Sequence, residues 1–294
     1  MPRPFGIAGR RGLAEDGPVH ALQQALKDLD QAYQNFFAGR ITLSRRTGQW
    51  FAAVQCEREV VEPVPSVLPA VGIDMGVAMF AALSDGTAIA PANHGKKALK
   101  ALRKAQRALA RKKRGSANRR KAAQRVAKIQ TRVAEARKDF LHKHSTAIAK
   151  NHGMVVVEAL QVRNMSASAK GTVEEPGRQI RQKAGLNRAI LDQGWSKFRT
   201  MLAYKLADRG GKLLEVPAAY TSQTCPECGH VSAANRQSQA DFVCVACGHA
   251  ANADTNAAIN ILRLGEKLSE RRADSALKPV EGHRTKRPGE AGTR

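Results

Sequence analysis

Tyr220-Thr-Ser-Gln-Thr-Cys225-Pro-Glu-Cys228-Gly, Phe242-Val-Cys244-Val-Ala-Cys247-Gly and Asn252-Ala-Asp254-Thr-Asn-Ala-Ala-Ile-Asn-Ile261 succeed one another in a single region of the chain. The cysteines read C-x2-C, fifteen residues, C-x2-C, the spacing of a tetrahedral zinc site built from two knuckles. Each knuckle turns tightly so that both sulfurs and the amides after them face one ion. Gly229 and Gly248 stand where a positive φ closes that turn. Two disulfides are the alternative. Residues 1–18, however, mix arginines with acids and lack the apolar core of a secretory leader, so a reducing compartment is expected. Four sulfurs leave no open position for water, and Cys225, Cys228, Cys244 and Cys247 are therefore expected to hold a structural zinc. Cys56, the fifth cysteine, reads as a small buried hydrophobe.

Charge sets the class of partner. The 294 residues carry 49 Lys plus Arg against 25 Asp plus Glu, a formal net charge of +24, which is the balance of a nucleic-acid binder. No window approaches 18 consecutive apolar residues, and aromatics are only 4%, so neither a membrane span nor a membrane-surface helix is expected. Residues 96–143 hold 19 Lys or Arg against Glu135 and Asp139 alone. Leu99, Leu102, Ala105 and Leu109 form one helical stripe and Val126, Ile129, Val133 and Phe140 another, with Gly115-Ser116-Ala117 between them. This predicts a long basic helical hairpin. A merely solvated face would interleave both signs. Contact with nucleic-acid phosphates is expected from Arg103, Lys104, Arg107, Arg111, Lys112, Lys113, Arg114, Arg119, Arg120, Lys121 and Arg125.

Elsewhere, residues 1–18 read as mobile, 19–37 as an amphipathic helix, and 41–44 and 50–56 as two β runs. Residues 63–69, rich in proline, read as a stiff linker. A strand meander is expected from Val71 through the turn Ser84-Asp85-Gly86, then a strand ending at Glu158, a loop over 164–185, one helix over 186–209 with Trp195 packed inside, and a strand over 212–216. Of the eight histidines, His94, His142, His144 and His152 read as residues of polar faces or loops, and His230 and His249, each directly after a knuckle glycine, as solvent-facing.

Three acids occupy comparable places: Asp74 in an apolar strand, Glu158 at a strand end and Asp254 at a helix start. On one edge of an α/β sheet they can converge. Carboxylates brought together repel unless cations neutralise them, and hard oxygen donors suit magnesium or manganese. Two such ions about 4 Å apart clamp a phosphodiester. Gly72 and Gly76 flank Asp74 and read as room for a phosphate backbone.

Val71-Gly-Ile-Asp74-Met-Gly and Val157-Glu158-Ala-Leu160, with the two cysteine stretches and the Asn252 to Ile261 run, resemble the TnpB (OrfB) family of insertion-sequence RNA-guided DNA endonucleases over residues 70–265. The resemblance implies an α/β fold, a RuvC-like ribonuclease H type domain with a basic helical hairpin insertion and an inserted four-cysteine zinc ribbon. It implies that Asp74, Glu158 and Asp254 are catalytic ligands of magnesium or manganese and that the cysteines bind zinc. DNA and a guide RNA from the protein's own element are the implied partners, in the cytoplasm at the nucleoid and away from membranes. The expected division is 1–62, a shortened helix and hairpin from a wedge domain; 70–219, the nuclease domain, with the hairpin at 96–143; 220–250, the ribbon; 251–265, the last helix; and 266–294, a disordered tail. Ala159 departs from the Asp or Asn usual in the family, and the region before Asp74 is shorter than the family's. That shortness favours the alternative of a non-cleaving nucleic-acid-binding regulator or truncated remnant. A ribosomal or transcription-type zinc-ribbon protein would explain the cysteines and charge but not the acids.

Overall fold

A computed structural model describes residues 30–31, 33–34, 41–55, 61–172, 174–217 and 219–277 and divides the chain into two units, Met1–Val61 and Glu62–Arg294. In the first unit Thr47 and Gly48, at φ 48 and 90, make a two-residue turn whose twist matches that of paired strands. It joins β1 (Ile41–Arg46) to β2 (Gln49–Val54) as an antiparallel pair. Asp30, Gln31, Tyr33 and Gln34 are helical. The rest of the helix expected over 19–37, the stretch 1–18 and Cys56 lie outside the described residues, as do residues 278–294 of the expected tail.

The second unit is built on a five-stranded sheet in the order β5-β4-β3-β6-β7, from β3 (Ala70–Asp74), β4 (Ala81–Leu83), β5 (Ala88–Ile89), β6 (Met154–Glu158) and β7 (Lys212–Val216). β4 pairs antiparallel with β3 on one side and with β5 on the other, while β3, β6 and β7 run parallel. The helices are α1 (His94–Ala110), α2 (Ala117–Asn151), α3 (Val162–Met165), α4 (Ile180–Gln193), α5 (Trp195–Ala207) and α6 (Ala253–Leu277); β8 (Asp241–Val243) and β9 (Ala250–Asn252) form a small separate ribbon. Alternation splits β6 between two cores. Val155 and Val157 join Leu141 and Ile148 of α2 and Phe198, Leu202 and Leu206 of α5, while Val156 joins Leu214, Val216 and Ile261 of α6. Burial on both faces is why these strands read as unbroken apolar runs. Among the described residues no helix is long and apolar enough to cross a membrane.

Several local expectations change. The helix expected over 186–209 is two helices, because Gly194 takes φ +75 and sits where an added Cβ would lie 3.1 Å from Arg137 Cδ. α4 also begins at Ile180, inside the expected loop. α6 does not stop at Gly265 but continues to Leu277. Gly265 is a packing glycine, since a Cβ there would fall 2.3 Å from Val156 Cγ2. Gly72 likewise serves packing and not phosphate: its Cβ would lie 2.1 Å from the Ala258 carbonyl oxygen of α6. The 63–69 run lies against the sheet unit, Ser66 N donating to Gly210 O at 3.0 Å and Gly153 N to Pro69 O at 3.0 Å. His94, His142, His144, His152 and His249 are half-buried, His144 meeting Phe140 ring to ring at 4.4 Å, whereas His230 is exposed as expected.

α1 is anchored at both ends. Asp192 of α4, its side chain 7% exposed, accepts from the amides of Gly95 and Lys96 and pairs with Arg137 at 2.7 Å, capping the α1 N-terminus from another helix. At the other end Ser116 caps α2, accepting from Arg119 N at 3.2 Å, and the Arg119 guanidinium donates to the Leu109 and Lys112 carbonyls.

Candidate functional site

The four cysteines form two knuckles of the same construction. Cys225 N donates to His230 O and Cys244 N to His249 O; Gly229 N and Gly248 N return to the Cys225 and Cys244 carbonyls. Both glycines take positive φ, 74 and 76. Sulfurs at about 2.3 Å from a tetrahedral zinc lie about 3.8 Å apart. The Cys225–Cys247 and Cys228–Cys244 sulfurs are 3.7 and 3.5 Å apart, and all four lie within 4.8 Å of one another. The cluster therefore fits zinc. Phe242, 1% exposed, packs with Cys225, Cys244 and Ala253 behind it.

Asp74 ends β3 and Glu158 ends β6; the strands are parallel, with Ile73 beside Val157, so both acids leave the sheet at the same edge. Asp254 lies in the first turn of α6, where Asn252 Oδ1 caps the helix by accepting from the amides of Asp254 and Thr255 at 3.0 and 3.2 Å. α6 crosses β3 at Gly72, so Asp254 arrives near the same edge. Burial, then the charges of Glu158 and Asp254, push the Asp74 carboxyl up from 3.8 to about 7, with Arg236 acting in the opposite sense. Burial also raises Glu158, which is 8% exposed, against the pull of Thr221, whose hydroxyl donates to Oε1 at 2.9 Å. Among the described residues the cysteines are the group tight enough to share one ion, and the three acids are spread more widely. Donors divided between two ions about 4 Å apart need no tighter cluster. A part-buried, mutually repelling set of oxygen donors fits hard divalent cations.

Two residues here escaped the sequence reading. Arg236, from the ribbon, places Nη2 4.0 Å from Asp254 Oδ1; no spacing pattern marks it. Thr221 likewise carries no signal of its contact with Glu158.

The basic helices form a groove of about 640 Å³ floored by Ala101, Ala105, Ala108 and Ala122. Lys104, Lys112, Lys121 and Arg125 line it together with Lys128 and Arg132, and no acid does. Lys128 and Arg132 were findable, because 121, 125, 128 and 132 share one helix face. Arg103, Arg107, Arg111, Lys113, Arg114 and Arg120 are exposed outside the groove lining, and Arg119 is half-buried in the turn.

Residues 53–169 match a family model described as a probable transposase, OrfB of the IS605 type, and residues 195–261 match the Cas12f1-like TNB domain. The chain is 42% identical to the "Putative RNA-guided DNA endonuclease InsQ" of Escherichia coli, over 86% of this chain and 76% of that protein. It is 36% identical to a "Putative RNA-guided DNA endonuclease" of Streptomyces pristinaespiralis, over 76% of this chain and 52%, about half, of that one. A solved Cas12f1–sgRNA–target DNA complex aligns with a TM-score of 0.43 and 20% identity, over 76% of this chain and 55% of that chain. On the identity and extent of the Escherichia coli match, the chain belongs to the OrfB (TnpB) family of transposon-associated proteins.

Proposed function

We propose that this protein is a transposon-encoded, RNA-guided DNA endonuclease that cleaves phosphodiesters with divalent metal ions at Asp74, Glu158 and Asp254. The observation that carries the reading is the arrival of three acids from β3, β6 and α6 at one sheet edge, close enough for two of them to raise the pKa of the third. The InsQ-like relatives support the activity by their names. The three-strand meander continued by two parallel strands supports a RuvC-like, ribonuclease H type domain over 70–219. The basic helices are its insertion, 220–250 its zinc ribbon, and α6 its last helix.

Asp74, Glu158 and Asp254 would together hold the divalent ions, Asp74 being the acid whose carboxyl feels the charges of both the others. Bound magnesium or manganese would supply an activated water and a stabilised leaving oxygen. The role of Arg236 is to balance the carboxylate charge around Asp254. The cations of the α1–α2 groove hold a nucleic-acid backbone, and pairing with a guide RNA from the protein's own element selects the DNA, in the cytoplasm at the nucleoid.

The test is to sequence RNA that copurifies with the protein and offer matching DNA with magnesium. Cleavage is expected. Asp74→Ala, Glu158→Ala or Asp254→Ala each lowers it by on the order of 10⁴ while leaving nucleic-acid binding intact, and the triple variant is no worse than the worst single one. Wild-type protein that binds guide and target but never cuts would overturn the reading.

A further inference from the structure

We propose that Thr221 is a positioning residue that orients the Glu158 carboxylate and, through Asn260, ties it to the helix carrying Asp254. The proposal rests on the nuclease reading above. Glu158 and Asp254 are 96 residues apart and sit on different elements. A side-chain relay joins those elements. Thr221 Oγ1 donates to Glu158 Oε1 at 2.9 Å, and both residues are buried, at 4% and 8% exposure. A hydroxyl donor at that distance restricts rotation of the carboxylate about its last bond and favours its ionised, ligand-competent form.

Thr221 stands in a turn before the first knuckle, where the amides of Gln223 and Thr224 both donate to the Tyr220 carbonyl at 3.0 Å, and that turn needs a hold on the body of the domain to fix the hydroxyl against Glu158. Here α6 supplies the grip. Asn260 Nδ2 donates to the Thr221 and Thr224 carbonyls at 2.8 and 2.7 Å, and Asn256 Nδ2 to the Thr224 carbonyl at 3.0 Å. The Arg263 guanidinium donates to the Pro226 carbonyl. Asn256 and Asn260 are buried, so these amides cannot exchange a carbonyl for water without loss. The relay thus runs from α6 through the Asn260 amide and the loop backbone to the Thr221 hydroxyl and the Glu158 carboxylate. Any shift of α6 that moves Asp254 is passed to Glu158 by the same amides.

The experiment uses full-length, zinc-loaded protein free of nucleic acid, with Mn2+ binding followed by electron paramagnetic resonance and zinc content and melting measured alongside. Thr221→Val keeps the shape and removes the hydroxyl. It is expected to weaken Mn2+ binding about tenfold, the scale at which residues supporting metal ligands act, with zinc content unchanged. Thr221→Ser restores the hydroxyl and is expected within about twofold of wild type; a packing role would not be rescued in this way. Wild-type affinity in Thr221→Val, or equal weakening in Thr221→Ser, overturns the proposal while leaving the nuclease reading in place. Wild-type protein that binds Mn2+ no better than Asp74→Asn overturns that reading and this proposal together.

Discussion

The zinc ribbon and the acid edge are both ligand sets, yet they are assembled in opposite ways. The ribbon's sulfurs come from two short turns with matching hydrogen bonds, Cys225 N to His230 O at 2.9 Å and Cys244 N to His249 O at 2.8 Å. Its geometry is local. The acids are 84 and 96 residues apart, and their meeting depends on the β3–β6 register and on how α6 lies across Gly72. A site made of turns is specified by spacing, whereas a site made by topology depends on everything that holds its elements together. Here the dependence has a direction: the ribbon is bracketed by Thr221, which touches Glu158, and by the start of α6, which carries Asp254.

The largest effect expected from the ribbon tests that direction. Cys225→Ser loses the zinc, melts the ribbon and lowers cleavage at least about a hundredfold, because a structural zinc site supplies folding free energy directly. Asp254→Ala keeps full zinc occupancy, seen by elemental analysis. A ribbon that loses zinc in Asp254→Ala would break the comparison. The α1–α2 groove belongs to neither site and sharpens the contrast. Replacing Lys121, Arg125, Lys128 and Arg132 with Ala lowers the slope of log affinity against log salt by about 3 to 4 on duplex DNA, at roughly 0.9 per phosphate contact, with zinc and divalent-metal binding unaltered. An unchanged slope returns these cations to solvent.

The smallest effect is in pH. Without added divalent ions, Asp74 holds its proton more tightly folded than unfolded, so its contribution to stability falls as pH rises from about 4 to about 7 and stays lost above that. Asp74→Asn removes the titration. Its melting temperature at pH 8 should exceed wild type by about 3 °C or more, the scale of ~1 kcal/mol in a domain of this size, and the gap should close toward pH 4. A gap that does not depend on pH would show that the acid edge is not strained by its own charge.

What was legible follows the same division. The cysteine spacing, the two helical stripes and the three acids could all be named from the chain, because each is marked by local pattern or by an acid in an apolar run. The glycines misled. Gly72 beside an acid reads as phosphate clearance, and the expected end of the last helix falls at 265, whereas Gly72 and Gly265 are both places where α6 touches the sheet. Only the neighbour across space distinguishes these meanings. Gly194 was passed over for the reverse reason, since a glycine in a good helical pattern gives no sign that its backbone has turned left-handed. Arg236 and Thr221 remained hidden because their partners, Asp254 and Glu158, belong to other elements.

The bare backbone at Gly72 sets a mechanical tolerance for the molecule. With the Ala258 carbonyl already where a methyl would be, and Gly265 pressed as closely on Val156, α6 is seated at two points along its length, like a shaft in two bearings. Such a shaft resists tilting. A single added methyl at either seat would lift one end and swing the other, so the acid at its tip would go out of alignment without any change to its own chemistry.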